Sequence, residues 1–302
     1  MEKKVGNREQ IAYVRRYTLT DGAKAGLKIA EVDNGKLRFL LNESKALDIT
    51  QLWHRGMNVS FLSKNGLVSR DLPFSRRFEG GMLYTCGLDS VGAREGFELH
   101  GTLHNTPAEI FRIDCDEEKI TVCAGTEDTE LFGKNLVLFR TVETAVGSDT
   151  VTVTDTLENR GNREEDYCIL YHVNLGYPFL DEGVTIEGDE AEARPRTAWA
   201  KERIGDRLLF GGAKDCEEER CYFIRHNVPS VKAVNKRIGK SFRLGYSQET
   251  LPCFVQWSSA ASGDYALGLE PSSTYLDDEF RYRKIKPRER VVFRLTLTVK
   301  DI

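Results

Sequence analysis

Period-two alternation, recurring in one run after another, limits what this chain can fold into. The closing run VVFRLTLTVK (291–300) alternates cleanly between apolar and polar side chains, as a half-buried strand requires. KLRFLLNESKALDITQLW (36–53) reads as a strand, a polar turn and a second strand. FELHGTLHNTPAEIFRIDCDEEKITVCAG (97–125) reads as strand, bend, strand, an acidic turn and a further strand. NLVLFRTVETAVGSDTVTVTDTLENRG (135–161) and LPCFVQWSSAASGDYALGLEPSS (251–273) are two more pairs, split at GSD and at ASGD. Turns rich in Gly, Asn and Asp separate the runs, and apolar positions at helical spacing are hard to find. Many strands without βα alternation predict an all-β, antiparallel sandwich or barrel. No Pro- or Ser-rich linker and no internal repeat divides the chain, so residues 1–302 read as one domain. The polar stretch 184–220 reads as a long excursion within it.

Composition narrows the function classes. The net charge of −4 supplies no basic stripe, so no nucleic-acid partner is expected. No apolar run approaches the ~18 residues that cross a membrane, and the N-terminal residues lack the apolar core of a secretory signal. The seven cysteines are odd in number and several sit in strand-like runs, which fits small buried hydrophobes in a reducing compartment. A cytoplasmic location is expected.

One strand raises a question of chemistry. In DYCILYHVNLGYPFLDEG (166–183), Ile169, Tyr171, Val173 and Leu175 fall on one face. Leu170, His172 and Asn174 fall on the other, close to a loop marked by Gly176 and Pro178. A strand with one good apolar face places a histidine and an asparagine together on its second.

The other histidines can be weighed singly. His54 (LWHRGMN) and His226 (FIRHNVP) read as structural. His100 and His104 have the i, i+4 spacing of a helical zinc site, but H-G-T-L-H lacks the glutamate and the helix formers. On a strand the two would lie ~13 Å apart, too far to share an ion, and Cys216, Cys221 and His226 are too loosely spaced for a zinc module. No metal and no cofactor are expected. Phosphate-binding glycine loops and a G-x-S-x-G elbow are absent from the sequence. Among the carboxylates Glu270 stands apart: in YALGLEPSS it shares a strand face with Ala266 and Gly268, which leaves room for a ligand. Partial burial there would raise its pKa toward that of a useful base.

FEGGMLYTCGLDSVG, LHGTLHNTPA, FGKNLVLFRTV, LYHVNLGYPFLDEG, LPCFVQW and YALGLEPSS occur in this order. From about residue 20 onward the chain resembles the aldose 1-epimerase-like (galactose-mutarotase-like) proteins, in a branch known only as a domain of unknown function. The resemblance implies a large antiparallel β-supersandwich with a carbohydrate site on its concave face. It implies His172 as general acid, Glu270 as general base, and His100 as a second histidine at the sugar hydroxyls and ring oxygen. It also implies a sugar-binding arginine, best matched by Arg76 with Arg77 adjacent; Asn174, His104 and Arg55 are further candidate substrate-binding residues. The sequence departs from the family at His104, where this branch has a small polar residue, and at Asn58, where relatives carry Asp. It also has ELHGTLHN where galactose mutarotases have N-G-x-x-H-G surroundings.

The implied activity is interconversion of sugar anomers by acid/base ring opening, with a small-molecule sugar as partner and a homodimer left open. A nearby carboxylate would keep His172 charged. Trp257, Tyr177 and Trp53 are the candidate stacking platforms. Three rival readings remain. One is a non-catalytic carbohydrate-binding protein on the same fold. Another is a metal-dependent sugar isomerase of cupin type. The third keeps the chemistry but takes an acidic or phosphorylated sugar, held by Arg55, Arg76, Arg77 or Arg94.

Overall fold

A computed structural model describes residues 4–302. Its strands form two sheets. The smaller contains β1 (Tyr13–Thr18), β2 (Lys28–Asp33), β3 (Leu37–Asn42), β4 (Asp48–His54) and β5 (Met57–Asn58), paired in chain order. The larger begins with β6 (Tyr84–Leu88), β7 (Ala108–Cys115), β8 (Lys119–Thr129), β9 (Asn135–Ala145) and β10 (Thr150–Asn159). It continues with β11 (Glu165–Leu175), β12 (Thr185–Pro195), β13 (Arg220–Asn235), β14 (Lys240–Tyr246), β15 (Cys253–Ala261) and β16 (Asp264–Ser272). β17 (Arg283–Ile285) and β18 (Arg290–Asp301) complete it. The spatial order is β17-β11-β16-β15-β13-β14-β18-β10-β9-β8-β7, with β6 added to β11 and β12 to β13.

The main apolar core lies between the sheets. Val32, Phe39 and Leu41 of the smaller sheet join Val153, Phe242 and Leu297 of the larger in one buried cluster. β11 divides as its alternation predicts. Ile169, Tyr171, Val173 and Leu175 enter this core, whereas Cys168 and Leu170 belong to a second cluster on the opposite face, with Tyr84, Cys86 and Val255. His172 and Asn174 share that second face.

A buried ion network ties β6 and β11 together from the core side. Arg140 donates from Nε to Asp155 Oδ1 (2.8 Å) and from Nη2 to Thr85 Oγ1 (2.9 Å), and Nη1 also reaches Asp48. Tyr171 donates to Asp155 Oδ2 (2.8 Å) and Thr85 to Asp48 Oδ1 (2.6 Å). Burial alone would raise the Asp48 pKa, but Arg140, His104 and Thr85 together hold it below the usual carboxylate range.

Two segments differ from the sequence reading. Residues 97–104 form no strand: His100 (φ 66°) and Gly101 (φ 77°) are both left-handed, and Leu103–Asn105 is a 3-10 turn. A side chain at 101 would strike Gly87 O at 2.4 Å, so the turn depends on glycine there. The ~13 Å strand spacing of His100 and His104 therefore does not apply. The stretch 184–220 is not simply an excursion, since β12 pairs along β13 and the short helix α2 (Ala198–Glu202) follows. β12 gave no alternation because most of its side chains are exposed or half-exposed and its pairing slips at two bulges. All seven cysteines are free thiols. Among the described residues no helix is long and apolar enough to cross a membrane.

Candidate active site

Four neighbouring strands build the site as a row. His172 stands on β11, next to β16, where Val173 pairs with Leu269 and Asn174 with Gly268. β15 follows, with Val255 opposite Glu270 and Trp257 opposite Gly268, and then β13, with Cys221 opposite Trp257. Sheet order alone thus brings His172, Glu270 and Trp257 together from positions up to 98 residues apart (172 to 270). They line a cavity of about 540 Å³, within the range of small-ligand sites. Its other walls come from Phe74 and Phe78 at the short helix α1 (Phe74–Arg77) and from the turn carrying His100.

His172 Nε2 lies 3.2 Å from Glu270 Oε1, and both residues are buried. Aromatic rings crowd the imidazole: Trp257, Phe78 and His100 have centroids 5.5, 5.7 and 5.8 Å away. Burial, reinforced by His100, lowers the His172 pKa to about 3, with Asn174 acting in the opposite direction. Burial and the charge of Glu219 push Glu270 well above the usual carboxyl range, opposed by Arg196. Burial thus favours the neutral form of each partner, a neutral imidazole beside a neutral carboxyl with one proton between them. This corrects the expectation of a charged His172: burial disfavours the charged ring and also pushes Glu270 toward its neutral form. Burial, then Arg196, lowers His100 to about 4. His100 Nδ1 accepts from Gly92 N–H at 3.3 Å, so the neutral ring carries its proton on Nε2.

The structure brings His172, Glu270 and His100 into one cavity, whereas Asn174, expected at the sugar, is fully buried on the same face of β11 and does not border the cavity. It does not bring the other expected sugar contacts there. Arg76 is exposed and outside the cavity wall, because the one-turn helix points its neighbour Arg77 inward instead. Arg77 bonds Glu98 at 3.0 Å and also pairs with Asp71; it lines a separate cleft with Lys45 and Asn105. Arg55 sits at the exposed turn after β4, 3.5 Å from Asp301. His104 is buried elsewhere, its Nδ1 2.6 Å from Asp48 and its ring stacked on Tyr84 at 3.6 Å. Arg94 covers the Phe280 ring at 3.6 Å. Asn58 donates to the carbonyls of Ser60 and Tyr177.

Of the three stacking candidates, Trp257 lines the cavity, its indole N–H donating to Glu219 Oε2 at 2.8 Å. Tyr177 is 68% exposed, and Trp53 lies under Arg38; neither borders the cavity. Sequence reasoning missed Arg196 and Glu219, which enter the wall from the charged segment between β12 and β13. Only the long-range β12–β13 pairing places them, and no local pattern marks them. Arg196 forms no ion pair among the described residues. Its charge is felt by Cys221, His100 and Glu270. No group of three or more His, Cys, Asp or Glu side chains among the described residues is placed to hold a metal ion.

The sheet order and the large antiparallel sheets define a protein of galactose-mutarotase-like fold. Residues 24–299 match the family described as Domain of unknown function (DUF4432), and the chain belongs to it. No curated protein matches the sequence. Solved structures share the fold at low identity. A candidate aldose 1-epimerase from Klebsiella pneumoniae subsp. pneumoniae superposes with a TM-score of 0.85 at 20% identity, over 95% of this chain and 83% of that one. A galactose mutarotase-like protein from Clostridium acetobutylicum gives 0.72 at 13% identity, over 97% and 100%. A candidate mutarotase from Salmonella typhimurium gives 0.70 at 13%, over 99% and 96%.

Proposed function

We propose that this protein is an isomerase of the aldose 1-epimerase type, acting on a sugar hemiacetal without a cofactor, in the cytoplasm. The observation that carries the reading is the buried His172–Glu270 contact of 3.2 Å inside a ligand-sized cavity. Binding alone needs no acid and base in contact; ring opening needs both.

In this mechanism the one-proton pair reacts as imidazolium and carboxylate. That form arises from the neutral pair by transfer across the Nε2–Oε1 contact, once sugar hydroxyls replace the apolar surroundings. Glu270 takes the proton of the C1 hydroxyl while His172 gives its Nε2 proton to the ring oxygen. The C1–O5 bond breaks and the electron pair stays on oxygen, leaving a free aldehyde. The C1–C2 bond rotates, and each proton returns by the reverse transfers to close the other anomer. The Nε2–H of His100 is available to donate to a sugar oxygen, and Trp257 offers an apolar face to the ring. Each proton-transfer group contributes ~10²–10⁴-fold, ample for a reaction that already proceeds unaided in water.

Magnetisation-transfer NMR over a panel of neutral, acidic and phosphorylated aldoses tests this, with wild type, Glu270→Gln and His172→Asn compared. Exchange accelerated by wild type and lost in both folded variants is the expected result. A wild type that binds a sugar without accelerating its exchange refutes catalysis in favour of a binding role.

A further inference from the structure

Three side-chain atoms around the dyad are buried without a hydrogen-bond partner: His172 Nδ1, Asn174 Oδ1 and Glu270 Oε1. Such orphans are uncommon in folded proteins and call for an explanation. Here they fall in sequence along one line of chemistry. Asn174 stands two residues from His172 on the same face of β11, and Glu270 Oε1 faces the other ring nitrogen.

The asparagine amide has only one orientation open to it. Its Nδ2 donates to Gly81 O at 3.1 Å and to His172 O at 3.0 Å. A flipped amide would press its oxygen against two carbonyl oxygens, so Oδ1 is committed as an acceptor. His172 Nδ1 is the unpartnered ring atom on the same strand face, and Asn174 acts on that ring in the direction that favours a proton on it. Asn174 itself is fully buried and does not border the cavity, which leaves it no direct contact with a sugar.

We propose that Asn174 is a positioning residue that accepts the Nδ1 proton of His172, fixing the tautomer whose bare Nε2 shares the Glu270 proton. One hydrogen-bonded chain, Asn174 Oδ1 to His172 to Glu270 Oε1, then accounts for all three orphans. The logic is that of any base oriented by a third group, here with a neutral amide as the orienter. The two cavity histidines then carry opposite tautomers, since Gly92 N–H occupies Nδ1 of His100. The catalytic consequence rests on the proposed isomerase reading; the tautomer assignment does not.

The test is therefore in two arms. Imidazole ¹⁵N–¹H correlation spectra of the labelled full chain, assigned by difference with His172→Asn and His100→Asn, read the tautomers without substrate. We expect a neutral His172 protonated on Nδ1 and a neutral His100 protonated on Nε2. A His172 protonated on Nε2 with bare Nδ1 overturns the proposal, whatever the activity. In the second arm, Asn174→Ala should mix the His172 tautomers and lower kcat by about 10²-fold with KM within about threefold. Asn174→Leu, which fills much the same volume without an acceptor, should mix the tautomers and lower kcat as alanine does. Full kcat in the alanine variant, or a single Nδ1–H tautomer kept in both folded variants, overturns the positioning role. A wild type that turns over no sugar removes the isomerase reading and leaves the spectroscopic arm to decide the tautomer.

Discussion

Glu270 keeps its place because the residue two positions earlier has no side chain. A β-carbon built on Gly268 would lie 2.4 Å from Glu270 Oε1, 3.0 Å from His172 Cε1 and 3.2 Å from Trp257 Cε3. Gly268→Ala therefore forces a rearrangement at the dyad. Bringing the first contact out to the 3.4 Å of ordinary packing moves the carboxyl by about 1 Å, a misplacement that typically costs on the order of 10²-fold in rate. Overpacking adds a stability loss of about 1–3 kcal/mol. Gly211→Ala is the matched control, because a β-carbon there meets nothing within 4 Å and its φ is not left-handed. We expect anomer exchange to fall about 10²-fold in Gly268→Ala and to stay unchanged in Gly211→Ala, with both folded by urea titration. The His172 imidazole resonances should shift in the first variant alone, a readout that needs no substrate. Exchange within about threefold of wild type, with unshifted resonances, would refute the claim that this missing side chain sets the dyad geometry.

Other perturbations test the surroundings. Arg140→Met leaves Asp48 and Asp155 buried without their shared cation and should cost about 3–5 kcal/mol by urea unfolding; a loss under 1 kcal/mol would contradict the network. Trp257→Ala should weaken sugar binding by about 1–3 kcal/mol in calorimetric titrations while Trp53→Ala leaves it unchanged, and equal effects would remove Trp257 as the platform. Stability should fall on acidification from about pH 6.5, where unfolded histidines take up protons that native His100 (near 4) and His172 (near 3) refuse. Together these two contribute a slope of up to about 2.7 kcal/mol per pH unit, and His54 and His226, also lowered by burial, act the same way. Glu270 acts oppositely above about pH 4.5, since the native carboxyl keeps a proton the unfolded chain has lost. His100→Asn should make the acid limb shallower; an unchanged limb would mean that native His100 is not held neutral.

How far the site was legible depends on whether each residue's neighbours are set locally or by the sheet. His172 and Glu270 could be singled out because alternation on β11 and β16 states which way each points, and the small face of Ala266 and Gly268 advertises space. His100 drew attention by its residue type, but its strand assignment failed. Two successive left-handed residues are a backbone property that H-G alone announces weakly. His104 looked like a sugar contact by proximity in sequence. It turned out to serve Asp48, 56 residues away, through a contact with no local signature. Arg196 and Glu219 were hidden in a charged segment whose composition matches any solvated loop, and the pairing of β12 with β13 brings them to the wall. Arg76 failed for a local reason: in a one-turn helix, adjacent positions face about 100° apart, and the inward place fell to Arg77.

The β6–β11 ladder joins the fold to the chemistry. Tyr171 pairs across strands with Thr85, and His172 with Tyr84. Thr85 and Tyr171 face the core, where Arg140 and its two aspartates fasten both strands. Tyr84 and His172 face the opposite way, where Phe74 and Phe78 pack against Tyr84 and the dyad lines the cavity. A shift of one strand against the other would pull Thr85 from Asp48 and Tyr171 from Asp155 together, leaving buried polar groups unpaired at about 1–3 kcal/mol each. The ion network thus resists the sliding motion that would carry His172 away from Glu270 on the neighbouring strand. This makes a difference between two variants decisive. Tyr171→Phe removes one bond to Asp155 and keeps the shape of the ring, so it should lower stability by about 1–3 kcal/mol while leaving the His172 resonances in place. Arg140→Met removes the fastening of both strands and should broaden or shift those resonances in the folded protein. If Arg140→Met leaves the His172 resonances as sharp and as placed as in wild type, the network serves the core alone, and the dyad is held by its own face of the sheet.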